Sequence, residues 1–178
     1  MSRNSKGYME DLYAEGCIRT HSGIYVNVFE PKPEMFCIED IAHALAHQPR
    51  FGGHLPQFYS VAQHSVMCLF SAKQGGLDKL AQFDCLMHDC SEAYLMDLPK
   101  PIKEKIPQYK EIEDNLMKVL ADVFHFNYPL RQTVKSVDAM MLQVEWENLM
   151  LADNHQNSCW APSLAKAQFL HNYKTLRG

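Results

Sequence analysis

The chain contains nothing approaching the roughly 18 unbroken apolar residues that a membrane-spanning helix requires, so no span is expected. Its N-terminus, MSRNSKGYMEDLY, lacks an apolar core followed by a small-residue cleavage site; no secretory signal is read, and a cytoplasmic protein is expected. None of the six cysteines (Cys17, Cys37, Cys68, Cys85, Cys90, Cys159) forms a C-x-x-C pair, and several lie in apolar stretches, which points to free buried thiols. Positive charge is in deficit, with 17 Lys and Arg against 21 Asp and Glu. A net charge of -4 argues against a protein built to grip a nucleic-acid polymer, although a local basic pocket can still hold a small anion. There is no internal repeat and no low-complexity linker. What is present is ordinary for one globular domain: 178 residues, 47% hydrophobic and 21% charged.

The apolar spacing is mostly helical. Residues 1–16 read as a helix with a frayed start, and Gly23 to Glu30 alternate as a short strand or hairpin. Ile38, Ile41, Ala42 and Leu45 place a helix over 38–48. Arg50 to Pro56 is a loop around Gly52-Gly53, where the backbone can approach a neighbour closely. Helices are expected over 60–74 and 77–94, the second ending before the prolines at 99 and 101. Others are expected over 108–125, 131–152 and 162–175. The expected fold is all-α: a single helical bundle spanning 1–178, with a short N-terminal β-hairpin and a functional core over about 38–150.

Within these helices a few polar residues sit among apolar ones. His88-Asp89 lies in the expected 77–94 helix, with Glu92 three residues after Asp89 and so on the same side. His64 is bracketed by Val61 and Val66, and Asp138 by Val137 and Ala139. Each alone has a bland explanation, such as a satisfied core histidine or a surface carboxylate. Together, buried imidazoles and carboxylates are costly unless paired or bound to a cation. A mixed N/O set suits a first-row divalent metal. A bundle lets ligands from separate helices converge inward. Arg50 offers a planar fork to phosphate, and Lys135 shares roughly the face of Asp138, three residues on.

The larger strings carry a resemblance. They are Ile38 to Leu45, Arg50-Phe51-Gly52-Gly53-His54, Tyr59 to Ser65, and His88-Asp89 through Glu92-Ala93-Tyr94 to Asp97-Leu98-Pro99-Lys100-Pro101. With Asp138 they resemble the HD superfamily of metal-dependent phosphohydrolases, in particular its 5′-deoxynucleotidases and phage dATP triphosphohydrolases. The resemblance implies His64, His88, Asp89 and Asp138 as ligands of a divalent transition metal (Zn, Co or Mn), with room for a second ion such as Mg. It implies Glu92 as the residue that orients or deprotonates water, and Asp97 near the leaving ester oxygen. It further implies Phe51 against the nucleoside, Gly53 and Pro101 at the base pocket, and Lys103 and Lys135 at outer phosphates. A symmetric homo-oligomer is expected on the same ground.

The resulting expectation is hydrolysis of a deoxynucleotide at its α-phosphorus, with dATP as the preferred substrate and triphosphate released. A 5′-deoxynucleotidase acting on dNMP is the alternative. An alarmone hydrolase is disfavoured because Ala93, not an aspartate, follows Glu92, and no Gly-Tyr-Pro signature of the cyclic-dinucleotide enzymes is present. A catalytically dead nucleotide-binding module would be expected to lack a ligand or Glu92, and all five positions are filled.

Overall fold

Local signals start and stop most of the helices. Ser60 caps α2 (Val61–Gln74) by accepting from the Gln63 amide, and Asp78 caps α3 (Lys79–Met87) by accepting from the Ala81 amide. Prolines open α6 (Pro107–Phe124) and α8 (Pro162–Arg177), where a missing amide proton costs nothing. The remaining helices are α1 (Ile38–His47), α4 (Glu92–Leu95), α5 (Lys100–Lys103) and α7 (Gln132–Glu145). A computed structural model of the protein describes residues 16–151 and 159–178. The helix expected over 1–16 falls outside these, apart from Gly16, which sits in a turn.

The fold is an all-α bundle with a two-stranded antiparallel hairpin, β1 (Cys17–Arg19) against β2 (Tyr25–Asn27). β2 lies inside the segment expected to be extended; its partner β1 was not expected, being only three residues long. Helix α8 packs on α1, α2 and α3, while α7 packs on α2 and α3. The core between them includes Ile41, Leu45, Val66, Leu86, Leu120 and Phe169, all nearly inaccessible to solvent. Among the described residues, no helix is long and apolar enough to cross a membrane.

Two expected helices differ in ways that shape the site. The helix expected over 77–94 breaks after Met87. Residues 88–91 form a turn, closed by i→i+3 bonds such as Cys90 N–H to Met87 O and Glu92 N–H to Asp89 O. A side chain helps to tighten it: His88 Nδ1 donates to the Cys85 carbonyl at 2.8 Å, drawing on an acceptor of the helical ladder. The helix expected over 131–152 is α-helical only to Glu145, then widens to a π-type turn over Trp146–Met150.

Asp84 sets the entry of α7. Its buried carboxylate accepts from the Asn127 amide (3.0 Å), Asn127 Nδ2 (2.9 Å) and Arg131 Nε (3.0 Å). Because α3 carries Asp84 one turn before His88, one helix both anchors the start of α7 and faces the residues farther along it. Phe169→Ala should lower unfolding free energy by about 3–5 kcal/mol in denaturant titrations. A loss below about 1 kcal/mol would show that α8 is not part of the core.

Candidate metal centre

The neck of the 50–59 loop explains how two distant polar residues meet. Arg50 N–H donates to Tyr59 O at 2.9 Å and Val61 N–H to Gln48 O at 3.1 Å, so the chain returns beside itself. Arg50 and Tyr59 therefore emerge side by side, and both reach Glu145 at the end of α7. Arg50 Nε donates to Glu145 Oε2 at 3.0 Å and the Tyr59 hydroxyl to Oε1 at 2.9 Å. His64 Nδ1 donates to the same Oε1 at 2.6 Å. Burial alone would raise the Glu145 carboxyl; His64, Arg50 and Tyr59 hold it below the usual range.

These bonds fix the imidazoles. His64 Nδ1 is committed to Glu145 and His88 Nδ1 to the Cys85 carbonyl. Both Nε2 atoms are then free to act as ligands, and they face each other at 3.2 Å. Asp138 Oδ1 lies 3.2 Å from His64 Nε2 and 3.6 Å from His88 Nε2. Asp89 Oδ2 lies 3.2 Å from His88 Nε2 and 3.6 Å from His64 Nε2. Two nitrogens bound at about 2.1 Å to one ion stand about 3.0–3.4 Å apart. The buried group thus fits a divalent cation in donor type and in spacing.

Cys68 joins the cluster, a donor missed in the sequence. It sits one turn after His64 on α2, fully buried, with Sγ 3.5 Å from His64 Nε2. The ligand atoms of His64, Cys68, His88 and Asp138 all lie within 4.8 Å of one another, so this group can hold a metal ion. Burial and Arg50 press the His64 pKa down, yet Cys68, Glu145 and Asp138 raise it well above its ordinary value. His88 is likewise raised against burial, by Asp89 and Asp138. Asp89 falls to about 2 against burial, drawn down by His88 and His64.

The other expected residues fall into three groups. Glu92 and Asp97 belong near the centre. Glu92 is buried, and its Oε2 has no protein partner among the described residues. Burial, with Asp89 and Asp97 adding, raises its pKa well above the carboxylate range. Asp97 is raised too, by burial first and also by Asp89, while Arg50 opposes. Arg50 is buried with Nη1 3.7 Å from Asp89, so its fork already serves two carboxylates. Phe51 is half-buried beside it, whereas Gly53 and Pro101 are exposed. Lys103 is held by Glu113, and Lys135 is exposed on the first turns of α7.

Three corrections concern local structure. His88 and Asp89 lie at the end of α3 and in the following turn, so Glu92 does not share a continuous helical face with them. The apolar neighbours of Asp138 do not bury it: Ala139 and Met140 point to solvent, and the Asp138 side chain is 43% exposed. It lies at the rim, open to anything entering. Glu145 was overlooked, although it stands two helical turns after Asp138 and therefore on the same stripe.

No family model matches the chain. It is 37% identical over 136 residues to the uncharacterized protein YfdR of Escherichia coli (strain K12), covering 76% of this chain and 74% of that protein. It is 30% identical over 144 residues to the uncharacterized protein RCAP_rcc00048 of Rhodobacter capsulatus, covering 74% of this chain and 71% of that protein. A helical protein with a buried His/Cys/Asp centre able to hold a metal is the class that fold and site define. The chain belongs to the family that includes YfdR.

Metal affinity should fall as pH falls, because protons compete for the two Nε2 atoms. Mass-spectrometric metal analysis after dialysis at pH 8 should find about one divalent ion per chain, lost progressively toward pH 5. Retention independent of pH would contradict imidazole ligation. Glu145→Ala should weaken metal binding about 10–100-fold in chelator competition while the far-UV spectrum stays helical. Unaltered affinity would contradict its orienting role.

Proposed function

We propose that this protein is an HD-type phosphohydrolase that cleaves a deoxynucleotide at the phosphorus bearing the nucleoside. One observation carries the reading: two imidazole Nε2 atoms stand 3.2 Å apart, oxygens of Asp89 and Asp138 each lie within 3.6 Å of both, and the buried Arg50 and Glu92 both interact electrostatically with Asp89. His64, His88, Asp89 and Asp138 are the ligands in this reading, with Cys68 adjacent. A divalent ion bound by these residues would supply an activated water and Lewis-acid polarisation of a phosphoryl oxygen. The mixed N/O donors support Zn, Co or Mn.

The residues of the chain do the rest. Glu92, whose raised pKa makes it a stronger base than an ordinary carboxylate, accepts the proton of the attacking water. Arg50, whose Nε is held by Glu145 and whose Nη1 faces Asp89, offers its remaining terminal nitrogen to a phosphoryl oxygen. The phosphorus–oxygen bond to the nucleoside breaks, and Asp97, whose pKa is also raised, delivers a proton to the departing oxygen.

The length of the phosphate chain divides two substrates. The dATP reading draws on Lys103 and Lys135 for the outer phosphates. The monophosphate reading is favoured by Glu113, which already neutralises Lys103. A panel of dNTPs, dNDPs and dNMPs with Mn, Co, Zn or Mg separates them: released triphosphate marks the first, and orthophosphate from dNMP alone marks the second. Metal-loaded protein inert toward all of them would sink the hydrolase reading. Lys103→Ala should hurt triphosphates more than monophosphates if Lys103 holds outer phosphates; equal losses would count against that role.

Glu92→Gln should lower kcat about 100-fold or more with metal content retained. A base must be ionised, so parent activity should be lost as pH falls through the raised Glu92 pKa. Over the pH range in which metal content is constant, that dependence should flatten in Glu92→Gln. A parallel pH profile in the variant would assign the base elsewhere.

A further inference from the structure

Two aromatic rings, far apart in sequence, meet next to the Arg50–Glu145 pair. Phe51 follows Arg50 in the loop before α2; Trp146 follows Glu145 at the end of α7. The Arg50–Glu145 ion pair, at 3.0 Å and buried, therefore fixes where both rings start. Their centroids stand 6.1 Å apart with planes tilted by 47°, and the Arg50 guanidinium carbon is 5.6 Å from the Phe51 centroid. The rings form a tilted, partly exposed pair adjoining the arginine that lies 3.7 Å from Asp89.

Two features show that the chain departs from ordinary local structure to make this pair. Phe51 has φ 55° and is followed by Gly52 at 60° and Gly53 at 79°. An aromatic residue in the left-handed region is strained, and such strain clusters at ligand sites. On the other side, α7 changes to a π-type turn at Trp146 itself, a distortion also common at functional sites. Trp146 is nevertheless 46% exposed, so packing within the described residues does not account for it.

We propose that Trp146 is a binding residue for the planar base of the nucleotide, forming with Phe51 an aromatic corner on which the base stacks. The proposal rests on the deoxynucleotide reading above and adds Trp146 to it. Stacking on an aromatic tolerates any base, because each has a π-face. The corner therefore selects for the presence of a base rather than its identity. With Gly52 and Gly53 presenting no side chain beside Phe51, this side of the rim does not sort purines by steric exclusion.

The probes are dAMP and 2-deoxyribose 5-phosphate, which share a phosphate ester and differ in the base. Binding is read as tryptophan emission in Zn-loaded Glu92→Gln protein, where cleavage does not intervene. The expected result is saturable quenching by dAMP, none by 2-deoxyribose 5-phosphate, and loss of the response in Glu92→Gln protein also carrying Trp146→Phe. In the cleaving enzyme, Trp146→Ala should shrink the kcat/KM preference for dAMP over 2-deoxyribose 5-phosphate about tenfold, mainly through KM, and Trp146→Phe should restore most of it. A preference altered by less than about twofold in Trp146→Ala, with nucleotides still cleaved, would overturn this assignment and leave the hydrolase reading standing. No cleavage of any dNTP, dNDP or dNMP by metal-loaded parent protein, together with no emission response to dAMP or dATP, would overturn both.

Discussion

A carboxylate inside a protein must be surrounded by donors, and at Glu145 those donors are the working parts of the site. His64, Tyr59 and Arg50 all point at it, from α2 and from the loop before it. Each bond has a consequence. The one to His64 chooses the tautomer and so turns Nε2 toward His88. The one to Arg50 places a guanidinium beside Asp89. The one to Tyr59 closes the loop that carries Arg50. Removing one partner of such a buried cluster leaves the others charged or unpaired, typically a loss of about 3–5 kcal/mol. The cluster therefore holds α7 to α2 as well as orienting the centre.

The centre itself is an electrostatic problem with one simple solution. Two imidazole nitrogens with lone pairs face each other at 3.2 Å, with Asp138 and Asp89 alongside. In a low-dielectric interior that arrangement demands positive charge, supplied either by protons on the histidines or by a cation. Burial first, and then the charge of Asp89, raise the Glu92 pKa. The half-exposed Asp138 leaves the assembly reachable from outside.

Much of this could be read from the amino-acid order. Helices at 61–74, 107–124 and 162–177 follow from apolar spacing and their bounding serine, prolines and glycines. His64 and Asp138 stood out as isolated polar residues among apolar ones, and the structure brings them within 3.2 Å. The break after Met87 was hidden because Leu86, Met87 and Tyr94 keep an apolar rhythm through it, whereas the turn depends on the His88 bond to Cys85. Cys68 looked like any buried thiol, since only three-dimensional convergence distinguishes it. Glu145 drew no reading from the sequence, because its partners Arg50, Tyr59 and His64 lie more than eighty residues away. Its spacing of seven from Asp138 was the available signal. Asp84 was equally silent, because its partners Asn127 and Arg131 are more than forty residues away.

One divalent cation is expected between the Nε2 atoms of His64 and His88. An anomalous-difference map from crystals grown with Zn or Mn tests it directly. The expected result is a single strong peak about 2.0–2.3 Å from both Nε2 atoms, with a carboxylate oxygen of Asp89 or Asp138 completing the shell. A well-ordered structure with no peak there, or with the metal bound only at exposed histidines such as His21 or His47, would contradict it.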